Sequence, residues 1–269
     1  MLVAGCLPGL ASAQLQVVPE HETQCVFAGT PRNIEVIWRN DGDKPIAVPV
    51  HLQVYQASSA TVMEVGSSLD WKQLDLLPHQ TVVETVSLTF PPVKTGTRFL
   101  IRWLDEISKV LGHSDLIVYP TNLLDALEPL TERKPVGVFD PQNQLKPLLK
   151  AAALEFEDLE FTGLKRFSGK LAILGPFPAK TSEPQALARN IAELANSGVA
   201  VVWIKPPPAI GPELEPAVYS VRLGHGAVSV VQAHVVTNLA DSPLAQLNLI
   251  RSAELAVKPD LLSLYNPQP

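Results

Sequence analysis

The apolar period of this chain changes once, near Pro135, and that change demands two kinds of sheet. Up to about residue 120 the apolar residues alternate with polar ones. Asn33 to Arg39 reads N-I-E-V-I-W-R, with Ile34, Val36 and Trp38 on one face. Ile46 to Tyr55, Thr81 to Phe90 and Gly96 to Trp103 repeat the two-residue period. Successive strand side chains point to opposite faces, so such segments are strands buried on one side. Asn40-Asp41-Gly42-Asp43 and Leu76-Leu77-Pro78-His79-Gln80 separate them, with residue types that tolerate turn geometry. Several strands of this kind need a second sheet to cover their wet apolar face. The expectation is an antiparallel sandwich.

Beyond Pro135 the strands become short continuous apolar runs, separated by helical patterns. Val136 to Phe139, Leu171 to Leu174 and Val199 to Ile204 have no polar face. Strands of that type lie inside a parallel sheet with helices on both sides. Asp140-Pro141 predicts a helix start, with Leu145, Leu148, Leu149, Ala152 and Ala153 on one face. Ser182-x-x-Gln185 predicts a capping box for a helix that carries Leu187, Ile191, Leu194 and Ala195 and ends at Gly198. Val218 to Leu223 and Ala227 to Ala233 flank Gly224-His225-Gly226 as a hairpin, expected to add antiparallel edge strands. Asp241 or Ser242 caps a last helix through Leu249 and Ala256. The fold class is therefore two-domain, β plus α/β. An antiparallel sandwich over 14–118 and a connector over 119–134 precede a three-layer α/β domain over 135–269. In the connector, Asn122 is expected to cap a short helix that Pro129 limits.

Residues 1–13 read as a processing signal. Leu2 to Leu10 is apolar and Ala11-Ser12-Ala13 has the small-residue cleavage pattern, although the usual basic residues are missing. The expected location is exported, periplasmic or extracellular. Two other readings stay open. Leu2-Val3-Ala4-Gly5-Cys6 also suits lipid attachment through Cys6, and the run could be a strand that remains on the protein. Of the two cysteines, Cys25 lies in a strand-like run and is expected to be a small buried hydrophobe. No other segment has the ~20 apolar residues of a membrane span. A net charge of −6 without basic clusters excludes nucleic acid as an expected partner.

Two resemblances follow from these residues. "VIWRNDGDKPIAVPVHLQV" with "LLPHQTVVETVSLTFPPVKTGTRFLIRW" resembles the immunoglobulin-like modules of bacterial exported and cell-surface proteins. "KLAILGPF…EPQALARNIAELANSGVAVVWI" resembles class I glutamine-amidotransferase-like domains, whose topology flavodoxin-like domains share. The second resemblance implies a nucleophilic cysteine in a G-x-C-x-G elbow with a downstream His and Glu. No cysteine follows Cys25, and no G-x-S-x-G replaces the elbow. The resemblance therefore implies the scaffold and argues against amidotransferase activity.

Gly175-Pro-Phe-Pro-Ala-Lys180-Thr181-Ser182 fails as a phosphate loop. Lys180 comes early, and Pro176 and Pro178 remove backbone donors. Ligands of open α/β sheets bind at the carboxyl ends of the strands, where Asp140, Phe177, Lys180 and Lys205 are expected to gather. An anion is the better guess there, because helix N-termini are partly positive. The bland reading is a cap, a core cover and two solvated lysines. The six histidines show no metal-ligand spacing. Glu155, Glu157, Asp158 and Glu160 read as a solvated edge rather than a hydrolytic pair. No cofactor is implied. The leading expectation is a non-catalytic binding or scaffolding protein with a protein or carbohydrate partner. A hydrolase or small polar ligand binder at the sheet edge is the alternative, and self-association through an open sheet edge is a further one.

Overall fold

The computed structural model describes residues 15–19, 23–151, 153–178, 183–205, 218–231 and 239–259. The chain combines antiparallel and parallel sheets with helices, and divides into two compact units at Thr121/Asn122. Cys6, His21, Lys180, Ser182 and His234 lie outside the described residues.

The first unit has two sheets. One holds β1 (Leu15–Val18), β3 (Pro31–Asn40) and β6 (Thr81–Thr89) in the order β1-β3-β6. The other holds β2 (Gln24–Phe27), β4 (Ile46–Ala57), β5 (Val62–Leu76), β7 (Thr97–Leu104) and β8 (Val110–Tyr119) in the order β2-β8-β7-β4-β5. Inward residues of both sheets form one core, including Ile34, Val36, Trp38, Leu52, Val86, Phe99, Ile101 and Trp103. Alternation along β3 thus places the expected face inside. Three tryptophans meet in or against this core. Trp38 meets Trp103 edge-on at 5.5 Å, and Trp71 reaches both rings at 6.2 and 5.0 Å. The Trp103 indole donates to Ser114 Oγ at 3.1 Å.

The turn at Asn40 joins the two sheets instead of closing a hairpin. Asn40 is fully buried there. Its amide donates to the Lys44 and Leu77 carbonyls at 2.8 and 3.0 Å, and its Oδ1 accepts from Gly42 N–H at 2.9 Å. Cys25 is half-buried, not buried. Desolvation raises its thiol pKa.

Among the described residues, the second unit holds a six-stranded sheet in the order β10-β9-β11-β12-β14-β13. Strands β9 (Val136–Phe139), β10 (Phe156–Asp158), β11 (Leu171–Leu174), β12 (Ala200–Ile204) and β14 (Gly226–Val231) are parallel to their neighbours in that row. Among these described strands, β13 (Val218–Leu223) runs antiparallel, pairing Leu223 with Gly226 across the two-residue turn. The hairpin therefore adds one antiparallel edge strand, because β14 inserts beside β12. Helices α1 (Leu145–Ala151) and α4 (Pro243–Val257) pack with Val138, Ile173, Val202 and Ile204 on one face. Helices α2 (Leu159–Thr162) and α3 (Pro184–Asn196) pack with Ala172, Leu174, Val201 and Trp203 on the other. Ser242 caps α4 by accepting from Ala245 N–H at 3.3 Å.

Several local expectations change. Residues Leu123–Thr131 form a 3-10 helix that runs through Pro129, and Asn122 bonds the Asp125 carboxylate instead of a backbone amide. Leu124, Leu127 and Leu130 of this segment sit in the α/β core, so it does more than connect. Helix α1 starts at Leu145 and not after Asp140, because Asn143 takes a left-handed φ of 51° and breaks the first turn. Ala153 follows the helix with φ 56° and is exposed. The N-cap position of α3 falls on Glu183, whose side chain makes no capping bond.

Candidate functional site

Strand order decides where a ligand would meet this sheet. Strand β10 lies on one side of β9 and β11 on the other, so the direction of winding reverses between β9 and β11. Open α/β sheets bind ligands at the carboxyl end of such a switch point. Here that point is bounded by Phe139-Asp140 and Gly175-Pro176-Phe177, and Gly175 N–H donates to Phe139 O at 2.8 Å. No side chain fits at Gly175. Its φ is 100°, and a Cβ would collide with the Ile204 carbonyl oxygen.

Asp140, Phe177 and Lys205 do share this edge, since they follow β9, β11 and β12. They have separate tasks. Asp140 is 2% exposed. Its Oδ2 accepts from Leu145 and Lys146 N–H at 2.7 and 2.9 Å, so the carboxylate closes the α1 N-terminus across the loop 141–144. Phe177 is buried and stacks on Phe139 at 5.8 Å, with Trp203 edge-on at 6.4 Å. These rings fill the switch point with carbon. Lys205 extends the sheet ladder, donating its N–H to Val231 O at 2.7 Å, and holds a left-handed φ of 43°. Two buried polar atoms stay unpartnered at this end of the sheet, Asp140 Oδ1 and Trp203 Nε1.

The acidic run is not a simple solvated edge. Phe156–Asp158 is a strand, and Asp158 caps α2 through Glu160 N–H at 3.0 Å. Lys146 Nζ bonds Asp158 Oδ2 at 2.8 Å and also bonds Glu160 Oε2. Glu160 Oε1 accepts from Asp140 N–H at 2.7 Å. The Lys146 hydrogen bond holds the Asp158 carboxyl down at about 2. Burial, with the neighbouring Asp158, pushes Glu160 above its ordinary range. Burial pulls Lys146 down, but hydrogen bonds and charge from its two carboxylates outweigh this and raise it. A reader of the sequence alone would need Lys146 on the same edge to find this cluster. The period shift between Leu145 and Phe156 hides that.

Beside the ring-filled switch point lies an open cleft of about 470 Å³ between α2 and α3. Phe139, Thr162, Arg166, Glu183, Leu187 and Asn190 are among the residues that line it. A second hollow of about 390 Å³, at the amino end of β9, is lined by residues that include Glu128, Arg133, Lys134 and Glu155. His51 lies 2.7 Å from Asp70, His79 3.1 Å from Asp43 and His113 3.9 Å from Asp115. Among the described residues, no three His, Cys, Asp or Glu side chains converge as a metal site, and no helix is long and apolar enough to cross a membrane.

No family model matches the chain, and no curated protein matches it. Solved structures give partial likenesses. The alkylpurine DNA glycosylase AlkC of Pseudomonas fluorescens, bound to DNA with an abasic site analogue, has a TM-score of 0.30 and 13% identity over 40% of this chain and 31% of its own. A β-glucosidase of Listeria innocua in complex with gluconolactone has a TM-score of 0.29 and 11% identity, over 39% of this chain and 16% of its own. The β-glucosidase EmGH1 of Erythrobacter marinus has a TM-score of 0.28 and 13% identity, over 39% and 15%. The chain spans less than a third of the length of each. Likenesses this partial fix neither topology nor chemistry.

Proposed function

We propose that this chain is an exported, non-catalytic binding or scaffolding protein, an accessory of the cell envelope or of polysaccharide processing. On this reading an immunoglobulin-like sandwich precedes an amidotransferase-like, flavodoxin-like α/β domain that has lost its nucleophile. One observation carries the absence of catalysis. The switch point is filled by Phe139, Phe177 and Trp203, and the nearby Asp140 carboxylate is engaged with α1 amides. A reacting atom needs a nucleophile, a base and room beside them, and this edge offers carbon instead.

The immunoglobulin-like part of the reading is supported by strand placement. The two sheet orders match the A-B-E and G-F-C-C′ rows of such sandwiches, with β1 on one sheet and β2 on the other. The α/β part is supported by the order β10-β9-β11-β12-β14, which follows the 2-1-3-4-5 winding of flavodoxin-like sheets.

The test is a turnover panel with the full chain. Chromogenic esters, amides and glycosides are incubated with protein whose fold is verified by circular dichroism. The expected result is no rate above buffer. A saturable rate that survives repurification overturns the proposal. It would favour the second reading, a hydrolase at the sheet edge, for which the Lys146–Asp158–Glu160 cluster is the specific support. Fusing residues 1–13 to a reporter that is active only after export tests the location. A reporter that stays inactive removes that part.

A further inference from the structure

We infer that the cleft between α2 and α3 is a recognition site for a neutral saccharide unit. The inference rests on the binding reading above and names its ligand class. It starts from size. A volume of about 470 Å³ lies in the range of small-molecule sites, which span about 300–1,000 Å³. The cleft also adjoins the switch point without being filled by it.

The lining then selects the chemistry. Phe139 and Leu187 give it an apolar floor, since both pack only partly into the core beneath. Around that floor stand planar polar groups of every kind: the Arg166 guanidinium donates, the Glu183 carboxylate accepts, and the Asn190 amide does both. The side chains of these three make no hydrogen bond or ion pair within the described residues. Thr162 donates its hydroxyl to Asp158 O at 3.1 Å and keeps acceptor capacity. Arg166 and Glu183 form no ion pair with each other, so each is available to a ligand. With Lys165 and Glu160 also in the lining, two positive and two negative groups balance across the cleft, which favours neither an anion nor a cation.

A ligand that suits this lining has an apolar face and a rim of hydroxyls that both donate and accept. A pyranose ring has that form.

The experiment is a titration of the full ¹⁵N-labelled chain, followed by amide spectra. The probes are glucose, galactose, N-acetylglucosamine and cellobiose, with leucine as a zwitterion and glucuronate as an anion. The expected result is saturable shifts at amides of residues 159–166 and 184–191 with at least one neutral sugar. Arg166→Ala is expected to weaken that binding by about tenfold, the effect of losing hydrogen bonds to a charged group. Arg166→Lys is expected to weaken it as well, because the planar fork is lost while the charge stays. Lys134→Ala at the other hollow leaves it unchanged. Dispersed spectra of each variant separate lost binding from lost fold.

Three results overturn the inference: no neutral sugar binds up to its solubility limit, the shifts fall outside these segments, or leucine or glucuronate binds there more tightly than every sugar. Turnover in the enzyme panel would remove the non-catalytic reading and leave sugar binding standing. Silence in this titration, with no turnover, removes this inference alone.

Discussion

Replacing Asp140 by alanine tests whether its carboxylate is a structural cap. The carboxylate accepts two backbone N–H groups of α1, and the residue is 2% exposed. Hydrogen bonds to a charged group contribute ~1.5–3 kcal/mol each, and loss of an N-cap costs ~0.5–2 kcal/mol in total. The two amides share one oxygen, so the sum is less than additive. Asp140→Ala should destabilise the second unit by ~2–4 kcal/mol. Asp140→Asn keeps an acceptor oxygen and removes a buried charge whose other oxygen is unpartnered, so its cost should stay below ~1.5 kcal/mol. The assay is hydrogen exchange through a urea series. Peptides spanning β9, β11 and α4 report the second unit, and those spanning β3 and β7 report the first. Leu145 and Lys146 amides should lose protection first. A loss in Asp140→Ala below ~0.5 kcal/mol, or an Asn variant as damaged as the Ala variant, would refute the capping argument.

Other measurements check other parts. Gly175→Ala should unfold or strongly destabilise the second unit, because its φ of 100° and the Ile204 carbonyl both exclude a Cβ; a thermal midpoint within error of the parent refutes this. Ser114→Ala should cost ~1–3 kcal/mol by orphaning the buried Trp103 donor, while Ser114→Thr restores most of it, as read by tryptophan fluorescence during urea unfolding. The Asp158 carboxyl, held at about 2 in the fold, contributes stability above the ordinary Asp value that is lost as pH falls from about 4 toward 2. The raised Glu160 acts oppositely: its contribution is present below the ordinary Glu value and fades as pH rises through its folded value. Lys146→Met should return Asp158 toward the ordinary range in a carboxyl NMR titration; an unmoved Asp158 refutes the pairing.

Much of the fold was legible because burial is periodic. Ile34, Val36 and Trp38 fall on one face of a strand, and Leu171 to Leu174 are buried on both. What stayed hidden follows from the same physics. Strand β5 is exposed along most of its length, carries Gly66, Ser67 and Ser68 at a register shift against β4, and so gives no apolar alternation to read. Strand β10 is three residues long with two of them acidic, and it gains its identity from pairing with β9. The edge shared by Asp140, Phe177 and Lys205 was readable from strand ends. Their separate tasks were not, because Asp140 reaches past a left-handed Asn143 that no local pattern announces. The Arg166–Glu183–Asn190 cleft joins segments some twenty residues apart on two helical elements, and only the winding of the sheet brings them together.

Strand β2 runs parallel to β8, from Gln24 beside Leu116 to Phe27 beside Tyr119, and Ala28 N–H donates to Tyr119 O at 2.9 Å. The first unit thus has its early strand and its last strand side by side, pointing the same way. Tension applied between Gln24 and Tyr119 pulls these neighbours in opposite directions along their own axes. The bonds between them are loaded together in shear and must fail together, whereas a hairpin pulled at its open end peels one rung at a time. An extending force would therefore meet its main resistance in this short ladder, and a proline at Val26, which removes a backbone donor from it, should lower the rupture force.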